Sequence, residues 1–304
     1  MITRDIGTFL QFARGCAPDF GPATARGAFL VAPQGFRRAA QSATDNRYMA
    51  ADATAFEAGR AVAQHQALQA ALSTVVPTVC FPGLDDAPDG LFPNNVYATA
   101  PGRLLVGRMR HAVRRREAER TDIRGFFRDV VGYAEYDLST QPHPCELTGA
   151  LVIDRARGLG FCGLSERCDD AGARLMHDAF GLRATLMFDL APGEYHANVV
   201  LAVLAGRMAL LCPHGFEDEE VAAAIEALYA PHARRLASGE HAAFVGNAIA
   251  LSADRVWMSA RAAAALEPAT REALDAAGFA LQAVDLDAIE VAGGSLRCCV
   301  AEIY

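Results

Sequence analysis

The sequence predicts an α/β propeller: repeated hairpin–helix–strand units stacked around an axis with a central channel. Three observations carry that prediction. First, four stretches place apolar runs on both sides of turn residues and read as β-hairpins. They are "NNVYATAPGRLLVGRM" around Pro101-Gly102, "GALVIDRARGLGFCGL" around Arg155 to Gly158, "NVVLAVLAGRMALLC" at Ala205-Gly206 and "NAIALSADRVWMSA" at Ala253-Asp254. Second, the hairpin tips recur roughly 50 residues apart, a period typical of repeat architectures. Third, most hairpins are followed by a helical stretch and then another apolar strand, with no Gly/Ser linker or charge block dividing the chain.

In chain order, residues 1–26 read as an extension able to form a short amphipathic helix, and residues 27–304 as a single domain. "GAFLVAP" begins the regular structure as a strand. A long alanine-rich helix is expected over "ADATAFEAGRAVAQHQALQAAL", and a strand over "PTVCF". The hairpins then alternate with helices over "DAGARLMHDAFGL", "EDEEVAAAIEALYAPHARRLA" and "SARAAAALEPATREALDAAGF". "ATLMFDL" and "ALQAVDL" supply the returning strands. A last strand, "GGSLRCCVAEIY", carries Cys298 and Cys299. Strand alternation sends these two thiols to opposite faces, so at most one serves a site and the other packs.

Composition narrows the function. The chain has 304 residues, 52% of them hydrophobic, enough for a sizeable core. A net charge of -8 and a pI of about 5.5 argue against nucleic acid or an anionic membrane as partner. The basic run "RMRHAVRRREAER" is a local exception that also reads as a solvated helix start. No apolar stretch approaches the roughly 20 residues of a membrane span. The N-terminus lacks the pattern of a signal peptide, so a cytoplasmic location with reduced thiols is expected. The eight cysteines include no C-x-x-C pair and no zinc-ligand spacing, and neither a metal nor a cofactor is expected. "GLGFCG" matches a dinucleotide fingerprint in letters only, because its glycines fall in a hairpin rather than between a strand and a helix.

Polar residues interrupt the apolar pattern at corresponding places in the repeated units. Asn94 and Asn95 stand at a strand start, Glu146 just before another, His196 and Asn198 before a third, and Cys298 within the last. A thiol, an imidazole and a carboxylate are the parts of nucleophilic catalysis with proton transfer. Each residue also has an ordinary structural reading. His196 can be a satisfied core histidine, Glu146 a cap, the asparagines an Asx turn and Cys298 a packing residue. Their equivalent placement is what joins them into one hypothesis.

The motifs "PDGLFPNN", "RRRE", "ELTGALV", "EYHANVV", "FVGN", "WMSARA" and "GGSLRCCVAEI" stand in order from about residue 27 to the end. Together they resemble the guanidino-group-modifying superfamily, the pentein fold. It includes arginine deiminases, dimethylarginine dimethylaminohydrolases, amidinotransferases and the citrulline-utilisation hydrolases, and the chain looks most like the last. The resemblance implies a five-bladed ββαβ propeller with pseudo-fivefold symmetry and a catalytic domain over 27–304. It implies Cys298 as nucleophile, His196 as general acid/base and Glu146 as the ligand of substrate nitrogen. It places Arg115 and Arg167 at the amino-acid end of the substrate, and it suggests a homodimer. Asn247, in "FVGN", either lines the pocket or caps a turn.

Where arginine deiminases carry two aspartates, this sequence has Asn95 and Asn198. An amide can donate to a ureido oxygen, which a carboxylate cannot do. A neutral ureido group, or both a ureido and a guanidino group, therefore suits the site. Val96, Leu147, Ala292 and Cys299 also depart from the family pattern. The expected function is a metal-free hydrolase cleaving C–N bonds of a citrulline- or arginine-like small molecule, with release of ammonia and an ornithine-type product. A deiminase, a dimethylarginine-type hydrolase, an amidinotransferase and a non-catalytic binding propeller remain open alternatives.

Overall fold

Short β-prone apolar runs on either side of tight turns dictate the local structure, and the computed structural model describes it for residues 1–304. Five small sheets form. Three of them contain a tight antiparallel hairpin and a third strand parallel to the hairpin's second strand, reached through a helical crossover. These are Tyr97–Ala100 with Arg103–Val106 and Ala134–Asp137; Leu151–Asp154 with Leu159–Leu164 and Ala184–Asp189; and Leu201–Leu204 with Met208–Leu211 and Ala233–Arg235. A fourth sheet draws its first strand from the far end of the chain. Ala301–Ile303 runs antiparallel to Gly27–Val31, which pairs in parallel with Thr78–Phe81. Hydrogen bonding does not join the five into one closed sheet.

The fifth unit departs from the expected hairpin. Arg255–Ser259 pairs in parallel with Ala280–Val284, but the segment expected as its antiparallel partner makes only the single bridge Ile249–Trp257. The long helix is also shorter than expected, running over Ala58–Leu72. The Asp52 side chain accepts from Thr54 N and starts a separate 3-10 turn at Ala53–Ala55, and non-helical backbone at Phe56 (φ -87°, ψ 86°) interrupts the run. The helix expected over 259–279 is broken into Ala260–Ala265 and Pro268–Ala276, because proline disfavours helical backbone in the residue before it.

Residues 2–13 add to the sheet of Leu151–Asp154. Ile2–Thr3 lies parallel to Ala184–Asp189 at the sheet's outer edge. The helix Ile6–Ala13, capped by Asp5, buries Phe9 against Phe161. The basic run at 108–120 forms short turns rather than one exposed helix. Arg114 is buried there on Glu117, while Arg115 and Arg116 are exposed. No helix is long and apolar enough to cross a membrane.

The feature that positions the site is a helical turn just ahead of four first strands: Pro93–Asn95, Leu147–Ala150, Ala197–Val200 and Leu296–Cys299. In the fifth unit, irregular turns around Phe244, at φ 66°, occupy the same place. Asn94, Asn95 and Cys298 thus sit on turns rather than on a strand, while Glu146, His196 and Asn198 stand just before theirs. Cys298 and Cys299 in particular lie in a 3-10 turn closed by Cys298 N donating to Ser295 O at 3.0 Å. Strand alternation therefore does not govern them. The final strand begins only at Ala301.

Candidate active site

These turns carry their polar side chains into one buried cluster. Glu146 precedes the turn Leu147–Ala150 and is fully buried. Its Oε1 accepts from the backbone N–H of Arg110 at 3.0 Å. Its Oε2 lies 2.8 Å from His196 Nε2 and 3.4 Å from Arg167 Nη1. Burial alone would raise the Glu146 carboxyl. The charge of Arg167 and the hydrogen bond from His196 outweigh it and hold the pKa down to about 2. Glu146 is therefore an anion and can only accept, so His196 Nε2 carries the hydrogen between them.

His196 is equally buried, and burial pulls its pKa below the ordinary value despite the Glu146 bond. The ring is neutral at pH 7, and its basic nitrogen is Nδ1. That atom is buried without a partner, as is Asn95 Oδ1. Both lie against Gly149: a Cβ there would fall 2.9 Å from Nδ1 and 2.7 Å from Asn95 Oδ1. Glycine at 149 is what lets the two approach. Asn94 is buried with neither side-chain atom paired, and its backbone carbonyl accepts from Thr148 Oγ1.

Cys298 sits opposite, held by two asparagines. Asn247 Nδ2 donates to Cys298 Sγ at 3.3 Å and to Asn198 O at 2.8 Å, while Asn247 Oδ1 accepts from Arg297 N at 3.0 Å. Asn198 Oδ1 is 3.9 Å from the sulfur. Burial raises the Cys298 thiol pKa, and the bonds from the Ser295 backbone and Asn247 counter this only in part. At rest the group is a thiol next to donors that suit a thiolate. Cys299, its neighbour, is wholly buried in the hydrophobic cluster around Leu296 and Val300.

A small cavity is lined by Cys298, Asn95, Arg167, Arg114 and Asp89. The segment after Gly27–Val31 lines it through Ser42, Asn46 and Met49. Arg167 crosses the cavity wall to Asp45 on that segment, Nη2 to Oδ1 at 2.6 Å, and stacks over Tyr195. The structure thus brings together Cys298, His196, Glu146, Asn94, Asn95, Asn198, Asn247 and Arg167. It does not bring Arg115 there. That guanidinium turns outward to the carbonyls of Met109 and Arg110, and Arg114 is the arginine at the cavity.

Asp89, between Pro88 and Gly90 in "PDGLFPNN", joins the site without having stood out in the sequence. Its carboxyl is buried, with Oδ2 taken by Ser42 and Oδ1 unpaired, and burial raises its pKa. An acid inside that motif is the signal that could have found it. Ser42, Asp45 and Asn46 carry none, since they lie in an irregular loop. No cluster of three His, Cys, Asp or Glu side chains suited to a metal ion is present.

Residues 32–304 match the family described as N,N dimethylarginine dimethylhydrolase, eukaryotic. No curated protein matches the chain. Among solved structures, it is similar to the substrate-bound N-terminal domain of ArgZ, an arginine dihydrolase from the ornithine-ammonia cycle in cyanobacteria. The identity is 19% and the TM-score 0.80, over 91% of this chain and 97% of that one. It is similar to AgrE in complex with ornithine and NAD+, with 21% identity and a TM-score of 0.79 over 91% of this chain and 39% of that one. It is also similar to a dimethylarginine dimethylaminohydrolase carrying an S-methyl-L-thiocitrulline adduct, with 20% identity and a TM-score of 0.71 over 92% and 100% of the two chains. At these identities the structural likeness is one of fold.

Proposed function

This chain belongs to the N,N dimethylarginine dimethylhydrolase family, within the guanidino-group-modifying pentein superfamily, and on that premise we propose that it hydrolyses an arginine- or citrulline-type side chain through a covalent bond to Cys298. The observation that carries this reading is that Cys298, Asn95 and Arg167 line one cavity, that Arg167 leads on to the Glu146–His196 pair, and that Asp89 Oδ1 and Asn95 Oδ1 at the cavity are buried and unpaired. Such atoms are costly unless a ligand satisfies them.

In the proposed reaction the Cys298 thiol gives up its proton, and His196, whose Nδ1 is buried without a partner, is the base that takes it. The thiolate attacks the central carbon of the planar head group. The tetrahedral adduct expels ammonia, or an alkylamine, as His196 returns the proton to the leaving nitrogen. A guanidino substrate leaves an amidino thioether on the sulfur, and a ureido substrate leaves a thiocarbamate. Neutral His196 then takes a proton from water, which attacks the same carbon, and the C–S bond breaks to regenerate the thiol. The guanidino route yields a ureido product. The ureido route yields a carbamate that loses carbon dioxide to give the ornithine-type amine. Glu146 keeps the His196 tautomer and balances the positive charge.

Asn95 and Asn198 fit both forms, since an amide can accept from N–H and donate to a carbonyl oxygen. A guanidinium has one further advantage here. Its charge beside the sulfur would lower a thiol pKa that burial now raises. Arg167 and Arg114 are the cations available at the cavity for a substrate carboxylate, with Asp45 released from Arg167 on binding. The five sheets, with Ala301–Ile303 beside Tyr97–Ala100 and Leu151–Asp154 beside Leu201–Leu204, support an arrangement as five blades around this site. We assign the catalytic domain to residues 27–304.

Purified protein incubated with arginine, N,N-dimethylarginine and citrulline is expected to release ammonia or dimethylamine, with citrulline or ornithine as co-product, and to do so without added metal. Full activity in Cys298→Ala would end the covalent mechanism.

A further inference from the structure

A second cavity lies among the first strands of the sheets and is bounded on one side by Thr148 and Asn198. It shares no lining residue with the cavity at Cys298. Three ionic side chains line it: Arg155, Arg297 and Glu302.

Two of these satisfy each other. Arg297 Nη2 donates to Glu302 Oε2 at 2.9 Å and its Nη1 to Val300 O at 2.8 Å. The other carboxylate oxygen, Oε1, accepts from Tyr304 OH at 2.9 Å. No hydrogen bond or ion pair joins Glu302 to Arg155, whose one hydrogen bond goes to Thr99 O. Arg155 is only 8% exposed and has no carboxylate within ion-pair distance. Its guanidinium is stacked over Tyr304, 4.1 Å from the ring centre, and lies over Phe180 at 5.1 Å. Nη1 donates to Thr99 O at 3.0 Å, and no hydrogen bond within the chain takes the Nε–Nη2 edge.

A guanidinium cannot shed its charge at any ordinary pH. Burying it without a hydrogen-bonded anion is expensive, and contact with the Tyr304 and Phe180 rings does not neutralise it. What remains is a planar guanidinium at the cavity whose Nε–Nη2 edge has no hydrogen-bond partner in the chain, beside two arginines' worth of positive charge and one carboxylate. That is the geometry a carboxylate meets in bidentate fashion. We propose that this cavity binds a small carboxylate anion on the Nε–Nη2 edge of Arg155. The site is separate from the catalytic cavity and does not rest on the reaction assigned to Cys298.

Acetate is the probe. Thermal unfolding of the full chain in sodium acetate and in sodium chloride, at equal ionic strength, should show a saturable rise in Tm for acetate only. The rise should reach about 4 °C at a hundredfold excess over Kd. Arg155→Gln should abolish it. Ala250→Leu, which fills the wall and keeps the arginine, should abolish it too, so the test survives if the first variant does not fold. Crystals grown in acetate should show the anion on Arg155. Equal rises with acetate and chloride, a rise that persists in both variants, or a cavity holding only water at saturating acetate overturns the proposal.

Discussion

At the hairpin ends of the sheets the chain reverses on residues chosen for backbone geometry. Gly102, Gly158 and Gly206 all have positive φ, and at Ala205-Gly206 both central residues are left-handed, as a two-residue hairpin turn requires. At the opposite ends the chain enters its strands through single helical turns loaded with buried polar groups. Asn94, Asn95 and His196 there leave side-chain atoms unpaired. Each such atom costs about 1–3 kcal/mol. One end of the repeated unit is thus built for folding, and the other gives up stability where the polar turns meet. The comparison predicts that substitutions at the two ends separate activity from stability.

Cys298 tests this most severely. Cys298→Ala should drop turnover below detection while the unfolding transition stays nearly in place. Cys299→Ala, one residue on and wholly buried, should keep activity within about twofold and cost about 1–2 kcal/mol from the lost packing. Activity assays paired with urea unfolding of both variants read the two effects. The reverse pattern would mean that the turn presents the wrong sulfur.

His196→Ala and Glu146→Gln come next, each expected to lower kcat by about 10²–10⁴. Glu146 also has a stability signature. Its folded pKa, about 2, lies below the ordinary value of 4.5. The stability it contributes is therefore fully present above pH 4.5 and is lost as pH falls towards 2. Acid unfolding of Glu146→Gln should lack that part of the transition. An unchanged acid profile would mean that the carboxylate is not held ionised by Arg167 and His196.

Glycines at the two ends offer a matched pair. A Cβ on Gly149 would lie 2.7 Å from Asn95 Oδ1 and 2.8 Å from His196 Cε1, whereas one on Gly102 meets nothing within 4 Å. Gly149→Ala should lower kcat by roughly 10- to 100-fold by displacing both side chains. Gly102→Ala, strained only by its φ of 74°, should cost about 1 kcal/mol and leave kinetics unchanged. Similar kinetic losses in both would remove the distinction between the ends.

The same division explains what is legible in the sequence. Hairpins at 97–106, 151–164 and 201–211 follow from apolar runs with turn residues between them, because those signals are local. Cys298, His196, Glu146 and the asparagines stand out as polar breaks at equivalent places. The turns that carry them do not, since a single helical turn before a strand has no periodicity to read. Alternation fails at Cys298 and Cys299 for that reason. In a run of three arginines nothing local decides which one turns inward, so the motif points to Arg115 while Arg114 lies at the cavity. Asp45 and Asn46 reach the site from a loop more than 100 residues away in sequence from Arg167 and Gly293. Long-range partners of that kind leave no mark in a single sequence.

Asn247 carries the smallest expected effect. Its Nδ2–H donates to the Cys298 sulfur, and its oxygen is fixed by Arg297 N–H. Asn247→Asp keeps the shape but replaces the donor with an anion on one of its two oxygens. A thiolate beside it loses a hydrogen bond and gains a like charge, so the already raised Cys298 pKa should rise further. The reactive fraction at fixed pH then falls, and the alkaline limb of the alkylation rate moves to higher pH. Iodoacetamide labelling followed by intact-mass spectrometry should show about tenfold slower modification at pH 8, the factor produced by a penalty of about 1.4 kcal/mol on the thiolate. Gly102→Ala, at the hairpin end, should leave the profile where it is. If Asn247→Asp also left it unmoved, the asparagine would be a structural clip for the Arg297 backbone, and the polar end of that unit would belong with the hairpin ends.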